Sequence, residues 1–255
     1  MADGFAGSKK EMNAGAQAVA AVVAVGGVLG GAWGLGEFFE LGHSPEDVKP
    51  AVCSTTKDEL PAEYASGAKL CAALNRPDLP ALLGTPAEQP LNATGNGRWI
   101  TFGSGVKIAA SEAKVQLKTH TVQVSASYDD LPVDQAVEVL GVTVQQQTVL
   151  GHPAVVYSYP TIAITFDFGN GKTGSGPGGV ARHVMVAADA KGGGGTSFDV
   201  VVWREDGTLP DDMALLRVAE QVLPTVPGWA GKPVGGGGLR ADHGGQRGAS
   251  APVVV

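Results

Sequence analysis

Between Glu11 and Glu37 the chain carries no charged residue, and within that gap the run AGAQAVAAVVAVGGVLGGAWGL, residues 14 to 35, has Gln17 as its only polar side chain. Twenty-two residues of helix rise about 33 Å, enough for a bilayer core of about 30 Å. The run therefore predicts a transmembrane anchor over residues 14–36, with residues 1–13 on one side and the bulk of the chain on the other. Lys9 and Lys10 precede it, while Glu37, Glu40, Glu46 and Asp47 follow, with Lys49 the sole base between residues 37 and 56. That bias places the N-terminus in the cytoplasm and the main domain outside. Trp33, Phe38 and Phe39 gather at the outer end, where interfacial aromatics are expected.

Two other readings compete with a retained anchor. A cleaved signal peptide needs an apolar core of about 7 to 15 residues and a small-x-small exit. Gly34-Leu35-Gly36 offers the exit, but the run is longer than such a core. A soluble helix would be weakened by the seven glycines between 14 and 36. Gly26, Gly30 and Gly34, spaced by four, form a small-xxx-small face that lets helices approach in lipid, a candidate surface for self-association.

An outside location gives the two cysteines a meaning. Cys53 and Cys71 both follow the anchor, and in an oxidising compartment they are expected to form a disulfide. The bridge would close a nineteen-residue loop, worth about 3 kcal/mol in the loop-entropy account. At 44% hydrophobic and 17% charged the chain has enough apolar residues for a packed core. A net charge of −7 and the lack of any Lys/Arg stripe argue against a nucleic-acid partner.

Residues 37–65, with Pro45, Pro50 and Pro61, read as a linker; 66–230 read as one extracytoplasmic domain, and 231–255 as a Gly-rich disordered tail. SGAKLCAALN (66–75) predicts a short helix and PDLPALLG (77–84) a further helical turn ending at Gly84. A loop is expected to residue 97, then a hairpin of strands 98–102 and 105–109. In VQLKTHTVQVSASY (115–128) the apolar positions start odd and finish even, which as a single strand requires a bulge near 119–122. LPVDQAVEVLG predicts a helix from Pro132. Strands follow over 142–150, 153–159, 161–168, 181–190 and 196–204, and DDMALLRVAEQVL (211–223) closes the domain as a helix. The fold class is α+β, a mainly antiparallel sheet with packed helices.

The stretch GNGKTGSGPGG (169–179) looks like a phosphate loop but fails as one. Where a Walker loop needs its first glycine the chain has Phe166, and GSGPGG after Thr173 cannot begin the required helix. A flexible hairpin loop is the expectation. The five histidines, 43, 120, 152, 183 and 243, are scattered without metal-binding spacing. Asp129-Asp130 and Asp211-Asp212 each precede a predicted helix, where acids act as caps. No cofactor, metal or catalytic residue is assigned. Ser104, His152 and Asp167 are nominated only as polar residues in or beside the strand region from which a site of distant residues would be assembled.

LCAALNRPDLPALLGTP, SYDDLPV, VLGHPAVVYS, SGPGGVAR and DDMALLRVAEQVLPTVPGW together resemble a family of uncharacterised actinomycete proteins, each with one N-terminal membrane segment and one outer domain. More loosely, the element order is similar to actinobacterial cell-envelope lipoproteins with α/β sandwiches of the photosystem-P-protein/Mog1 type, although no lipidation motif frames Cys53. The resemblance implies location and architecture but no reaction. The expected function is a membrane-anchored extracytoplasmic binding or accessory domain without catalysis. The alternatives are a cell-envelope hydrolase or transferase, or an oligomeric structural or signalling subunit.

Overall fold

The computed structural model describes residues 51–56, 60–101, 105–129, 131–138, 142–167, 172–192 and 194–229. The expected anchor at 14–36 with its Gly26, Gly30 and Gly34 face, and the tail at 231–255, lie outside the described residues. Among the described residues no helix is long and apolar enough to cross a membrane.

Eight strands form one sheet in the order β1-β2-β3-β4-β8-β7-β6-β5. They are β1 (Cys53–Thr55), β2 (Asn92–Thr101), β3 (Lys107–Gln116), β4 (His120–Ser127), β5 (Val144–Val149), β6 (His152–Asp167), β7 (Lys172–Ala187) and β8 (Ser197–Arg204). Only β1, which lies within the stretch expected to be linker, runs parallel to its neighbour; all other pairs are antiparallel. The sheet is mixed and dominates an α+β architecture. The helices are α1 (Gly67–Leu74), α2 (Leu79–Leu82), α3 (Val133–Glu138) and α4 (Asp212–Val222), followed by a 3-10 turn, Leu223–Thr225.

Helices α1, α2 and α4 cover one face. Leu70, Leu74, Leu79, Leu215, Val218 and Val222 pack there against Val115, Val122, Val124, Val184, Val186, Phe198, Val200 and Val202. Each such side chain contributes about 1.5–3 kcal/mol on full burial. The opposite face carries a smaller apolar cluster, in which Val133 of α3 meets Val155, Tyr157, Met185 and Ala187. Ser66 caps α1 through Lys69 N, and Asp211 caps α4 through Met213 N. Arg182 of β7 holds the start of α4 by a two-pronged bond to Asp212, at 2.5 and 2.6 Å. Its remaining arm donates to Ser158 Oγ.

Four expectations need correction. The face change in 115–128 is a hairpin, not a bulge: Leu117 N donates to His120 O at 2.7 Å across a two-residue turn. Val115 then sits opposite Val122 and Ala113 opposite Val124, so odd and even positions share a face because they belong to different strands. Residues 92–97 are strand rather than loop, since β2 begins at Asn92 and pairs with β3 along its whole length. The expected strands at 153–159 and 161–168 are one strand, β6, with a register shift between Pro160 and Ile162. His152 opens that strand, and the two-residue turn before it is Leu150-Gly151, with φ values of 53° and 83°. Finally, most of the glycine stretch is strand: β7 starts at Lys172, and Gly174, Gly176 and Pro177 pair with Thr165, Ala163 and Ile162.

Candidate functional site

Two of the nominated polar residues, His152 and Asp167, do not converge. His152 and Asp167 are the two ends of β6, and fifteen steps of extended chain separate them by about 50 Å. His152 is buried, its Nδ1 within 2.9 Å of the Ala187 carbonyl and its ring 4.4 Å from that of Trp229. Those contacts hold the segment that follows α4 against the sheet. Ser104 lies outside the described residues. Among the paired acids, Asp129 accepts from Ser127 Oγ and Leu131 N, while Asp211 caps α4 and Asp212 holds Arg182.

The cysteines do meet. Cys53 and Cys71 form a disulfide across a Cα separation of 6.0 Å, joining edge strand β1 to helix α1.

A different group of residues gathers on the sheet face opposite α1, α2 and α4. The register sets Asn96, Glu112, Ser125 and Asp199 side by side on β2, β3, β4 and β8. The next row holds Lys114, Gln123, Val201, His183 and Tyr157, running on to β7 and β6. Because side chains alternate along a strand, both rows face the same way. Glu112, Gln123 and His183 are all buried, which is unusual for such groups unless they are paired.

At one end of this floor Asn96 Nδ2 donates to Glu112 Oε1 at 2.9 Å. Burial pushes the Glu112 carboxyl above its ordinary value, opposed by the Asn96 bond and the charges of Arg98 and Lys114. Burial likewise pushes the Lys114 ammonium down, with Glu112 and Glu205 acting against it. At the other end His183 Nδ1 lies 3.0 Å from Asp199 Oδ2, and Tyr157 Oη donates to the same oxygen at 3.4 Å. The Tyr157 and His183 rings stack at 4.6 Å with 17° between their planes. Burial, then the Asp199 charge, holds the Tyr157 phenol well above its ordinary value, so it stays a donor. Asp199 Oδ1 is buried without a hydrogen-bond partner among the described residues.

This floor offers acceptors at two carboxylates and donors at Lys114, Gln123 and Tyr157. A carboxylate holding one imidazole nitrogen orients the other as a base. Nucleophilic catalysis needs a hydroxyl bonded to that imidazole as well. Ser125, opposite Asp199 in the register, makes no hydrogen bond to His183 among the described residues. The local signal in the sequence is faint: Asp199 is a lone polar residue in the otherwise apolar run FDVVVW, while His183 follows Arg182 just before the apolar run VMVAA. Scoring each strand alone hid it, since the residues converge only once β4, β8, β7 and β6 are laid side by side.

A family model described as a family of unknown function (DUF6215) matches residues 9–143. The match takes in β1 to β4 and α1 to α3, and stops before β5, although β4 pairs directly with β8 in the same sheet. No curated protein and no solved structure gives a match.

Proposed function

Since the chain belongs to DUF6215, a family of unknown function, we propose its role from its own residues: a membrane-anchored extracytoplasmic binding or accessory domain. Residues 14–36 hold it in the membrane, and the polar floor of Glu112, Asp199, His183 and Tyr157 takes the ligand. The observation that carries this reading is the Cys53–Cys71 disulfide, because such bridges persist in oxidising compartments. It ties the chain that leaves the apolar run to the first helix of the domain. The resemblance to single-pass actinomycete proteins supports the same topology. Helices on both faces of one sheet suit the proposed likeness to α/β sandwiches of the photosystem-P-protein/Mog1 type.

Protease added to intact cells stripped of their wall tests the topology. The account expects loss of the main domain and protection of about three dozen N-terminal residues. Full protection of the chain would reverse the orientation. A catalytic reading has one observation in its favour, the His183–Asp199 pair. Turnover of envelope esters or glycans abolished by His183→Gln would establish it over the binding reading.

A further inference from the structure

We propose that one end of the sheet is a lipid-contacting surface, and that the domain rests on the membrane through it. This rests on the anchored reading above, which supplies the membrane but not the face that meets it.

The register defines the end. Residues 92 of β2, 116 of β3, 120 of β4 and 204 of β8 lie level across the sheet, and the β3–β4 turn caps them. The chain coming from residues 14–36 enters here, because Ala51 N bonds to Pro90 O just before β1 starts beside Ala93. Only fourteen residues separate position 36 from Ala51.

The exposed apolar side chains are distributed unevenly between the two ends. Among the described residues the large exposed hydrophobics are Val52, Leu91, Leu150, Val180, Leu209 and Met213, between 41% and 84% exposed. Val52 and Leu91 flank the chain entry. Val180 stands two positions before Arg182 on β7, towards the same end. Leu209 follows β8, where Gly179 and Gly207 approach each other, and Met213 opens α4 beside the Arg182–Asp212 bridge. Five of these six therefore share the entry end, and Leu150 alone is at the other, in the β5–β6 turn. Isolated exposed apolar residues are ordinary, but their gathering beside a membrane tether points to contact.

The long hairpin points the same way. Beyond Tyr157 no β5 residue pairs with β6, and before Arg182 no β8 residue pairs with β7. Residues 161–167 and 172–179 thus extend as a two-stranded arm beyond the sheet, by about 23 Å at 3.3 Å per residue. Its sequence, TIAITFD, alternates Ile162, Ile164 and Phe166 with smaller or polar residues. A two-stranded ribbon is marginal alone in water, and an apolar support would stabilise it. Glu88, Glu205 and Asp206 are also at this end, with Lys118 and Arg204 among them, so the charges there are of both signs and the contact is proposed as apolar.

The test uses the full chain reconstituted in phosphatidylcholine vesicles. A photo-crosslinking benzoylphenylalanine replaces Leu91, Leu209 or Met213, one at a time, with Leu150 as the control. Lipid adducts at the three entry-end positions should exceed those at Leu150 by at least about fivefold. Equal yields at both ends, or crosslinks to a second chain in place of lipid, would overturn the proposal. Extraction of the chain from the vesicles by alkaline carbonate would overturn the anchored reading and the contact together. Retention without adducts would overturn the contact alone.

Discussion

Gly67 and Gly95 touch backbone to backbone where the first turn of α1 lies on strand β2. A Cβ on Gly95 would stand 2.2 Å from the Gly67 carbonyl oxygen, and one on Gly67 would stand 2.1 Å from Asn96 N. The same hypothetical Gly95 Cβ would be 3.0 Å from the Cβ of Cys71. Two glycines thus let the helix settle low enough for Cys71 to reach Cys53 on the neighbouring strand. Gly95→Ala is expected to lower stability by about 1–3 kcal/mol, since the clash is with backbone that cannot rotate away. Urea unfolding of the variant measures it. A change within about 0.5 kcal/mol, the ordinary surface range, would show that α1 is not held at this depth.

Glu112 gives a pH signature. Its folded-state pKa is raised, first by burial. A raised carboxyl means the folded state holds its proton more tightly than the unfolded chain, so stability is lost as pH rises through the folded pKa. Glu112→Gln keeps an acceptor for Asn96 and removes the buried charge. It should raise stability at pH 7 by on the order of 1 kcal/mol, with the advantage shrinking towards pH 4. Thermal unfolding of both proteins across that range checks it. A variant less stable at pH 7 would mean the charge is compensated in place.

Leu150 has φ 53° in a two-residue hairpin turn, a conformation that favours Asn, Asp or Gly. Its side chain is exposed, so little burial is lost on replacement. Leu150→Asn should stabilise by about 0.5–1 kcal/mol. Denaturant titration decides, and a destabilised variant would show that Leu150 makes a packing contact.

Local signals made much of the fold legible. Ser66, Asn75 and Gly84 mark the ends of α1 and the turn after α2, and Asp211 with Pro224 frames α4. Signals that depend on partner strands were not legible. The parity change at 117–120 is a bulge if 115–128 is one strand and a hairpin if it is two, and only pairing decides. The glycines at 95 and 97 resemble a loop until a helix backbone is seen resting on Gly95. Gly174 to Gly179 likewise resemble a loop until β6 is paired against them. The disulfide was readable from compartment logic. The His183–Asp199 pair was not, because fifteen residues of chain and a turn separate its members.

The redox state of Cys53 and Cys71 in protein isolated from the cells that make it is the most direct measurement. Thiol alkylation with a mass readout, before and after reduction, reports it. The prediction is no alkylation of either cysteine before reduction and alkylation of both after it, with reduction lowering domain stability by roughly 2–4 kcal/mol. Two freely alkylated thiols in unreduced native protein would contradict both the bridge and the proposed extracytoplasmic location.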